Sequence, residues 1–333
     1  MELESFVKEM MHYASTKQVS DIYVLPNKET YTISMRFHYF TKPYAQLSLE
    51  DGEQCILYFK FLGGMDVGEH RRPQLGSCTL DMVKTSIRLR LSTVSNYRHQ
   101  ETLVIRLLYS LNEKQLYFFN QKEFNKTNQL IRTKGLHLFC GPVGSGKTTT
   151  MYSILKNNIH SHQIITIEDP VEIEEEHFLQ LQIHPAIHVD YDELIKLCLR
   201  HRPDFLMIGE IRDENTAHYA FRAALTGHCV LATLHAPSFA GVRQRLYDLG
   251  VTPTEVKQVL KTITLQRILP IYCPYCHGVC HPYCTHYAKN YRCFMITEKE
   301  KEGRRHWNAT LRQAWLNGAI TKETWQEERI EEE

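Results

Sequence analysis

Gly141, Gly146, Lys147 and Thr148 fit the spacing G-x-x-x-x-G-K-[ST], which cradles the phosphates of a nucleoside triphosphate. Pro142, Val143, Gly144 and Ser145 fill the variable positions, and Thr149 follows. Each residue type has a reason. Successive backbone N–H groups point at the phosphates, and glycines let the backbone approach without a Cβ. The lysine reaches the β- and γ-phosphates, and the Thr148 hydroxyl serves Mg²⁺. Three further groups end short apolar runs. Glu168 with Asp169 follows 164–167, Glu210 follows 205–208, and His235 follows 229–233, with His228 ahead of that last run. Hydrolysis needs one carboxylate to orient or deprotonate water, another near Mg²⁺, and donors for the charge that develops. Taken singly, each is more often a solvated carboxylate or a satisfied histidine. Their recurrence at successive strand ends points to one site, because ligands of a parallel sheet sit beyond its carboxyl ends.

The elements that must hold these groups follow from the periodicity. Leu136–Cys140 is an apolar run of strand length, and a helix opens at Lys147. The runs at 164–167, 205–208 and 229–233 read as buried strands, with helical patterns at 147–158, 191–201 and 213–225 between them. That alternation predicts an α/β domain with a mostly parallel sheet covered on both faces. Helices are expected to continue over 238–249 and 253–268. Ahead of this domain, Leu3, Phe6, Val7, Met10, Met11 and Ala14 form one helical stripe. Strands are predicted at 20–26, 31–40, 78–83, 85–93 and 102–108, a helix at 50–62, and a loop at 70–76. This describes a small α+β domain over 1–110, then the nucleotide domain over 111–270 and a cysteine-rich helical region over 271–333.

Composition narrows the class. The chain has 333 residues, 43% hydrophobic and 23% charged, which is ordinary globular composition. A net charge of +1 gives no global field toward nucleic acid or anionic membrane, and no basic stripe predicts direct nucleic-acid binding. The opening MELESFVKEM has no secretory core, and no run of 18 uncharged apolar residues occurs. The ten cysteines then read as reduced thiols of a cytoplasmic protein. Cys273-x₂-Cys276, Cys280 and Cys284, with His277, His281, His286 and Cys293 nearby, either hold Zn²⁺ tetrahedrally or are packed thiols.

GPVGSGKTTTMY, TIEDPVE, RPDFLMIGEIRD and ALTGH…LATLHA resemble, in order, the Walker A, acidic, atypical Walker B and histidine boxes of the secretion, type IV pilus and competence traffic ATPases. Upstream, SDIY and RLRLSTVSNYRHQETLVIRLL match that family too, so the resemblance covers about Val19 to Cys276. It implies a P-loop RecA-like domain behind a small PAS-like α+β domain, with ATP and Mg²⁺ as ligands. It implies that Glu168 is the catalytic carboxylate and Glu210 the Walker B residue acting on Mg²⁺, or that these two roles are exchanged. His235 and His228 would contact the γ-phosphate. Arg90 and Arg106 match arginines that reach a neighbouring subunit's nucleotide in homohexameric rings, and Arg200 and Arg212 match arginines of the RecA-like domain. Larger relatives carry a four-cysteine zinc motif, which this chain shortens. Three departures stand out: Arg202 where the family has Asp, Gln74-Leu75-Gly76-Ser77 for Q-D-G-R, and His99-Gln100-Glu101 for His-Gly-Glu.

The SDIY match begins at residue 20, so one helix precedes the small domain. Together with the shortened cysteine segment, this places the resemblance closest to the compact competence ATPases of Gram-positive bacteria. The expected protein is a cytoplasmic ATPase ring at the inner face of the membrane, held there by a platform protein, assembling a DNA-uptake pilus. Type IV pilus retraction, type II secretion and a non-hydrolysing structural ring are the alternatives. The tail with Trp307, Trp315 and Trp325 reads as helical, for docking on the ring or a partner.

Overall fold

The alternation of apolar residues expected near the N-terminus builds a six-stranded antiparallel sheet in the order β3-β2-β1-β6-β5-β4. Its strands are β1 (Asp21–Pro26), β2 (Thr30–Phe37), β3 (Phe40–Ser48), β4 (Gln74–Asp81), β5 (Ser86–Ser95) and β6 (Glu101–Leu108). Ile87, Leu89 and Leu91 on β5 and Leu103, Ile105 and Leu107 on β6 all turn to the core. α1 (Leu3–Thr16) buries Val7, Met10, Met11 and Ala14, the stripe read from sequence. α2 (Leu49–Leu62) starts where the Ser48 side chain accepts from Asp51 N, and it stops at Gly63. β3 is a strand that the sequence pattern does not announce, because Pro43 interrupts its alternation. An edge strand tolerates that proline, and the β2–β3 register shifts close by, between Ile33 and Ser34. The expected loop at 70–76 also gives its last three residues, Gln74–Gly76, to β4.

The computed structural model describes residues 3–37, 40–81, 86–109, 116–158, 162–184, 189–280, 284, 291–299 and 307–330. The chain divides into two units, Met1–Lys114 and Gln115–Glu333. Val83, His281 and His286 lie outside the described residues.

The second unit is built on a seven-stranded sheet, β13-β12-β7-β11-β10-β8-β9. β7 (Gly135–Cys140), β8 (Ile164–Glu168), β9 (Leu179–Gln182), β10 (Phe205–Ile208), β11 (Cys229–Leu234) and β12 (Leu260–Pro270) are parallel, and β13 (Tyr291–Lys299) pairs antiparallel with β12. β7, β8, β10 and β11 are buried throughout, as strands covered on both faces must be. The helices are α3 (Gln121–Leu130), α4 (Lys147–Lys156), α5 (Tyr191–Arg200), α6 (Glu214–Leu225), α7 (Phe239–Asp248), α8 (Pro253–Val259), α9 (Trp307–Leu316) and α10 (Lys322–Glu327). The helix expected over 253–268 ends at Val259, and β12 takes the rest. A capping box between Thr252 and Glu255 starts α8. The β-branched residues Thr262, Ile263, Thr264 and Ile268 then favour a strand between two neighbours. Beyond it the chain returns to the same core. Trp307, Leu311 and Ile320 are buried there, Trp315 stacks on Trp325 with centroids 4.7 Å apart, and Arg267 Nη1 pairs with Glu328 at 2.7 Å. The tail therefore docks on its own unit.

Candidate functional site

β7 delivers the chain into the glycine loop, and three glycines take backbone angles open to few other residues: Gly141 φ 149°, Gly144 φ 78° and Gly146 φ 80°. A Cβ at Gly141 would lie 2.1 Å from the Gln266 carbonyl of β12. Gln266 Nε2 also donates to Ser145 O at 2.7 Å, so β12 fixes the loop from its side. Lys147 Nζ folds back to donate to Gly141 O at 2.9 Å and Pro142 O at 2.8 Å. Burial pulls the Lys147 pKa below its ordinary value, against the attraction of Cys140, Glu210 and Glu172. The loop fits a polyphosphate on three counts. α4 begins without a side-chain cap, so its N-terminal N–H groups remain for an anion. Ser145 Oγ is buried with no hydrogen-bond partner among the described residues. Lys147 supplies the cation, with Thr148 and Thr149 directly behind it on α4.

Glu168 ends β8 and is buried. Tyr152 Oη and Thr166 Oγ1 both donate to its Oε1, at 2.5 and 2.8 Å. Burial raises the Glu168 pKa, and those two hydroxyls oppose the rise. Glu210 follows β10 in a turn fixed by Thr233, whose Oγ1 donates to Gly209 O and whose carbonyl accepts from Ile211 N at 2.9 Å. Arg212 Nε donates to Glu210 Oε2 at 2.6 Å, and Arg212 Nη1 lies 3.3 Å from Asp169 Oδ2. His235 Nε2 sits 3.3 Å from Glu210 Oε1. Asp169, Arg212, Glu210 and His235 thus form one chain of polar contacts across the carboxyl ends of β8, β10 and β11, which are neighbours in the sheet. A buried carboxylate held by two neutral hydroxyls and a wetter one paired to a guanidinium are suited to different work: proton acceptance for the first, cation attraction for the second.

The other residues singled out from sequence stand elsewhere. His228 precedes β11, at the opposite end of the sheet from the loop that follows the parallel β7. Its Nδ1 lies 3.0 Å from Thr226 Oγ1. Arg200 closes α5, shortly before β10 begins. Neither is brought to the phosphate loop of its own chain. Arg106 and Arg90 face each other across β6 and β5. With Arg36 and Asp21 they make one row over four strands, in which Arg106 Nε donates to Asp21 Oδ1 at 2.8 Å.

The cysteines converge. The sulfurs of Cys273, Cys276, Cys280 and Cys284 all lie within 4.8 Å of one another. Tetrahedral zinc with bonds of about 2.3 Å would set sulfurs roughly 3.8 Å apart, so the set fits a structural Zn²⁺ site with little movement. Cys273 N donates to Gly278 O at 2.7 Å, closing the knuckle. Burial would raise the Cys273 pKa, but the Cys276 and Tyr275 N–H groups and the Cys280 and Cys276 thiols outweigh it and bring it to about 6.

Sequence reasoning missed Gln266, Tyr152, Thr166 and Gln180. The alternation of TITLQRI could have signalled β12 and hence Gln266. Tyr152 and Gln180 have no local signal, because they meet across different elements, whereas Thr166 stands two residues before Glu168 on the same face of β8 and was within reach of the strand's alternation.

Compared with known proteins, the chain matches the family described as type II/IV secretion system protein over residues 1–332. It is 44% identical over 267 residues to the competence protein ComGA of Streptococcus pneumoniae, covering 80% of this chain and 85% of that one. Against ComGA of Bacillus subtilis the identity is 35% over 301 residues, covering 89% and 84%. The X-ray structure of the Legionella pneumophila ATPase DotB shares the fold, with a TM-score of 0.74 over 97% of this chain and 94% of that one, at 17% identity.

Proposed function

The chain belongs to the type II/IV secretion system protein family, and from that premise we propose that it is the ATPase motor that assembles a competence, type IV-like pilus for DNA uptake. The observation that carries this reading is the convergence of Glu210, Arg212 and His235 beside buried Glu168, at the strand ends of a sheet that carries a phosphate loop. Its occurrence in a chain 44% identical to a competence protein over most of both lengths supports the biological output.

Gly141 to Thr149 would hold the ATP phosphates, with Thr148 and Glu210 holding Mg²⁺. Bound Mg²⁺ supplies charge neutralisation at the anhydride being cleaved. Lys147 exchanges its loop carbonyls for phosphate oxygens. Glu168 orients the attacking water and takes its proton. His235, tied to Glu210, monitors the γ-phosphate side, and Arg212 sets the orientation of Glu210. Arg90 and Arg106 act on a neighbouring subunit's nucleotide in a homohexamer, a role that the row of arginines on one sheet supports. His228 and Arg200, remote from their own loop, serve subunit boundaries in this reading. The four cysteines hold a structural Zn²⁺. Among the described residues no helix is long and apolar enough to cross a membrane. We place the ring in the cytoplasm, attached to the membrane through a platform protein of the pilus machinery.

The test is a strain carrying Lys147→Ala at the native locus. It is expected to make pilin but to display no surface filaments and take up no DNA. Persisting uptake with failed export of some other protein would replace the competence reading with secretion.

A further inference from the structure

Glu168 is joined to a loop it does not belong to through a hydrogen-bond chain whose direction is fixed by backbone groups. Gln180 lies on β9. Its Oε1 accepts from Glu175 N at 2.8 Å, and its Nε2 donates to Ile173 O at 2.7 Å. An N–H only donates and a carbonyl only accepts, so the amide cannot be turned over. Gln180 Nε2 therefore donates to Tyr152 Oη as well, at 2.5 Å. The phenol oxygen is occupied as an acceptor, and its single proton goes to Glu168 Oε1. Burial and the neighbouring Glu168 push the Tyr152 pKa far up, so the phenol keeps that proton. Tyr152 is fully buried on α4, one turn behind the phosphate loop, and its ring packs on Phe178 with centroids 5.5 Å apart.

We infer that Tyr152 is a positioning residue for hydrolysis, fixed by Gln180 and fixing in turn the carboxylate of Glu168. The loop between β8 and β9, whose Glu172 N–H also acts on the Glu168 carboxylate, is thereby coupled to it by a second path, through Gln180. This inference rests on the reading of Glu168 as the residue that acts on water. Thr166 meets the same oxygen from β8 itself, but its place is set by the strand. Tyr152 and Gln180 instead link Glu168 to two other elements. A loop displaced by one ångström or so would move the phenol and release one of the two hydroxyls that hold Oε1. Bonds from a hydroxyl to a carboxylate are charge-assisted and short, so losing one is felt in orientation and not only in stability.

The test is a double-mutant cycle on the full-length protein, with ATP affinity, turnover and thermal midpoint measured for each variant. Tyr152→Phe keeps the buried ring and removes the hydroxyl. Turnover is expected to fall about tenfold or more, with ATP affinity changed less than about twofold. Gln180→Leu is expected to lower turnover in the same manner. The two substitutions together are expected to cost no more than Tyr152→Phe alone, because both act through one bond. Effects that multiply, or a Tyr152→Phe protein with unchanged turnover, overturn the relay. Glu168→Gln measured alongside separates the two levels. If it is inactive while Tyr152→Phe is unaffected, the relay alone is wrong. If Glu168→Gln itself turns over normally, the role of Glu168 falls and the relay with it.

Discussion

The ends of β8 and β10 lie side by side and each presents a glutamate, yet the two carboxylates live in opposite surroundings. Glu168 is 3% exposed, bonded on one oxygen by two neutral hydroxyls, and burial lifts its pKa. Glu210 is wetter, gripped by the Arg212 guanidinium and faced by His235. Burial makes Glu168 more basic than an ordinary glutamate, whereas Glu210 is ion-paired to a guanidinium and partly open to solvent. Environments that push like groups apart are how one fold assigns acid, base and electrostatic roles. Sequence left the two roles exchangeable, and this asymmetry favours Glu168 as the base.

Glu168→Gln should give the largest effect that bears on this asymmetry. Turnover is expected to fall about a hundredfold or more while ATP still binds, as expected for loss of a positioned base. Glu210→Gln should cost less at saturating Mg²⁺ and raise the Mg²⁺ concentration needed for half-maximal turnover. An exchange of these two phenotypes would exchange the roles. The acid limb of turnover is a second readout of the same pair. Glu168 must be ionised to accept a proton and its pKa is raised, so activity should decline on acidification before an ordinary glutamate, near 4.3, would titrate. Smallest of all should be the effect of Cys273→Ser with Cys276→Ser. It is expected to remove close to one bound zinc per chain and expose the C-terminal region to protease, leaving the turnover ratio of the two glutamate variants unchanged. Protein purified without metal and with a protected C-terminus would show that the thiols only pack.

What could be read from the chain alone was what chemistry confines to a short segment. The phosphate loop needs glycines, a lysine and a hydroxyl at fixed spacing, so Gly141 to Thr149 announced itself. Glu168, Glu210 and His235 each closed an apolar run, and strand ends are where a parallel sheet works. Contacts between distant segments left no such mark. Tyr152 reads as one more apolar position of α4 until Gln180, 28 residues on, is folded against it. Lys60 looks like a surface lysine, yet it is wholly buried, donating to Glu101 Oε1 at 2.8 Å and to Glu69 O at 2.7 Å. β12 was hidden by the strong helix start at Thr252, and Gln266 was hidden with it. Where Arg200 and His228 stand follows from the parallel register, which motif order alone does not supply.

Whether this loop and these strand ends make an ATP-hydrolysing machine is read most directly from the steady-state ATPase activity of the purified full-length chain beside its Lys147→Ala variant. Mg²⁺-dependent turnover should rise with protein concentration as rings assemble and be abolished by Lys147→Ala. Turnover that survives Lys147→Ala at near the wild-type rate would contradict it.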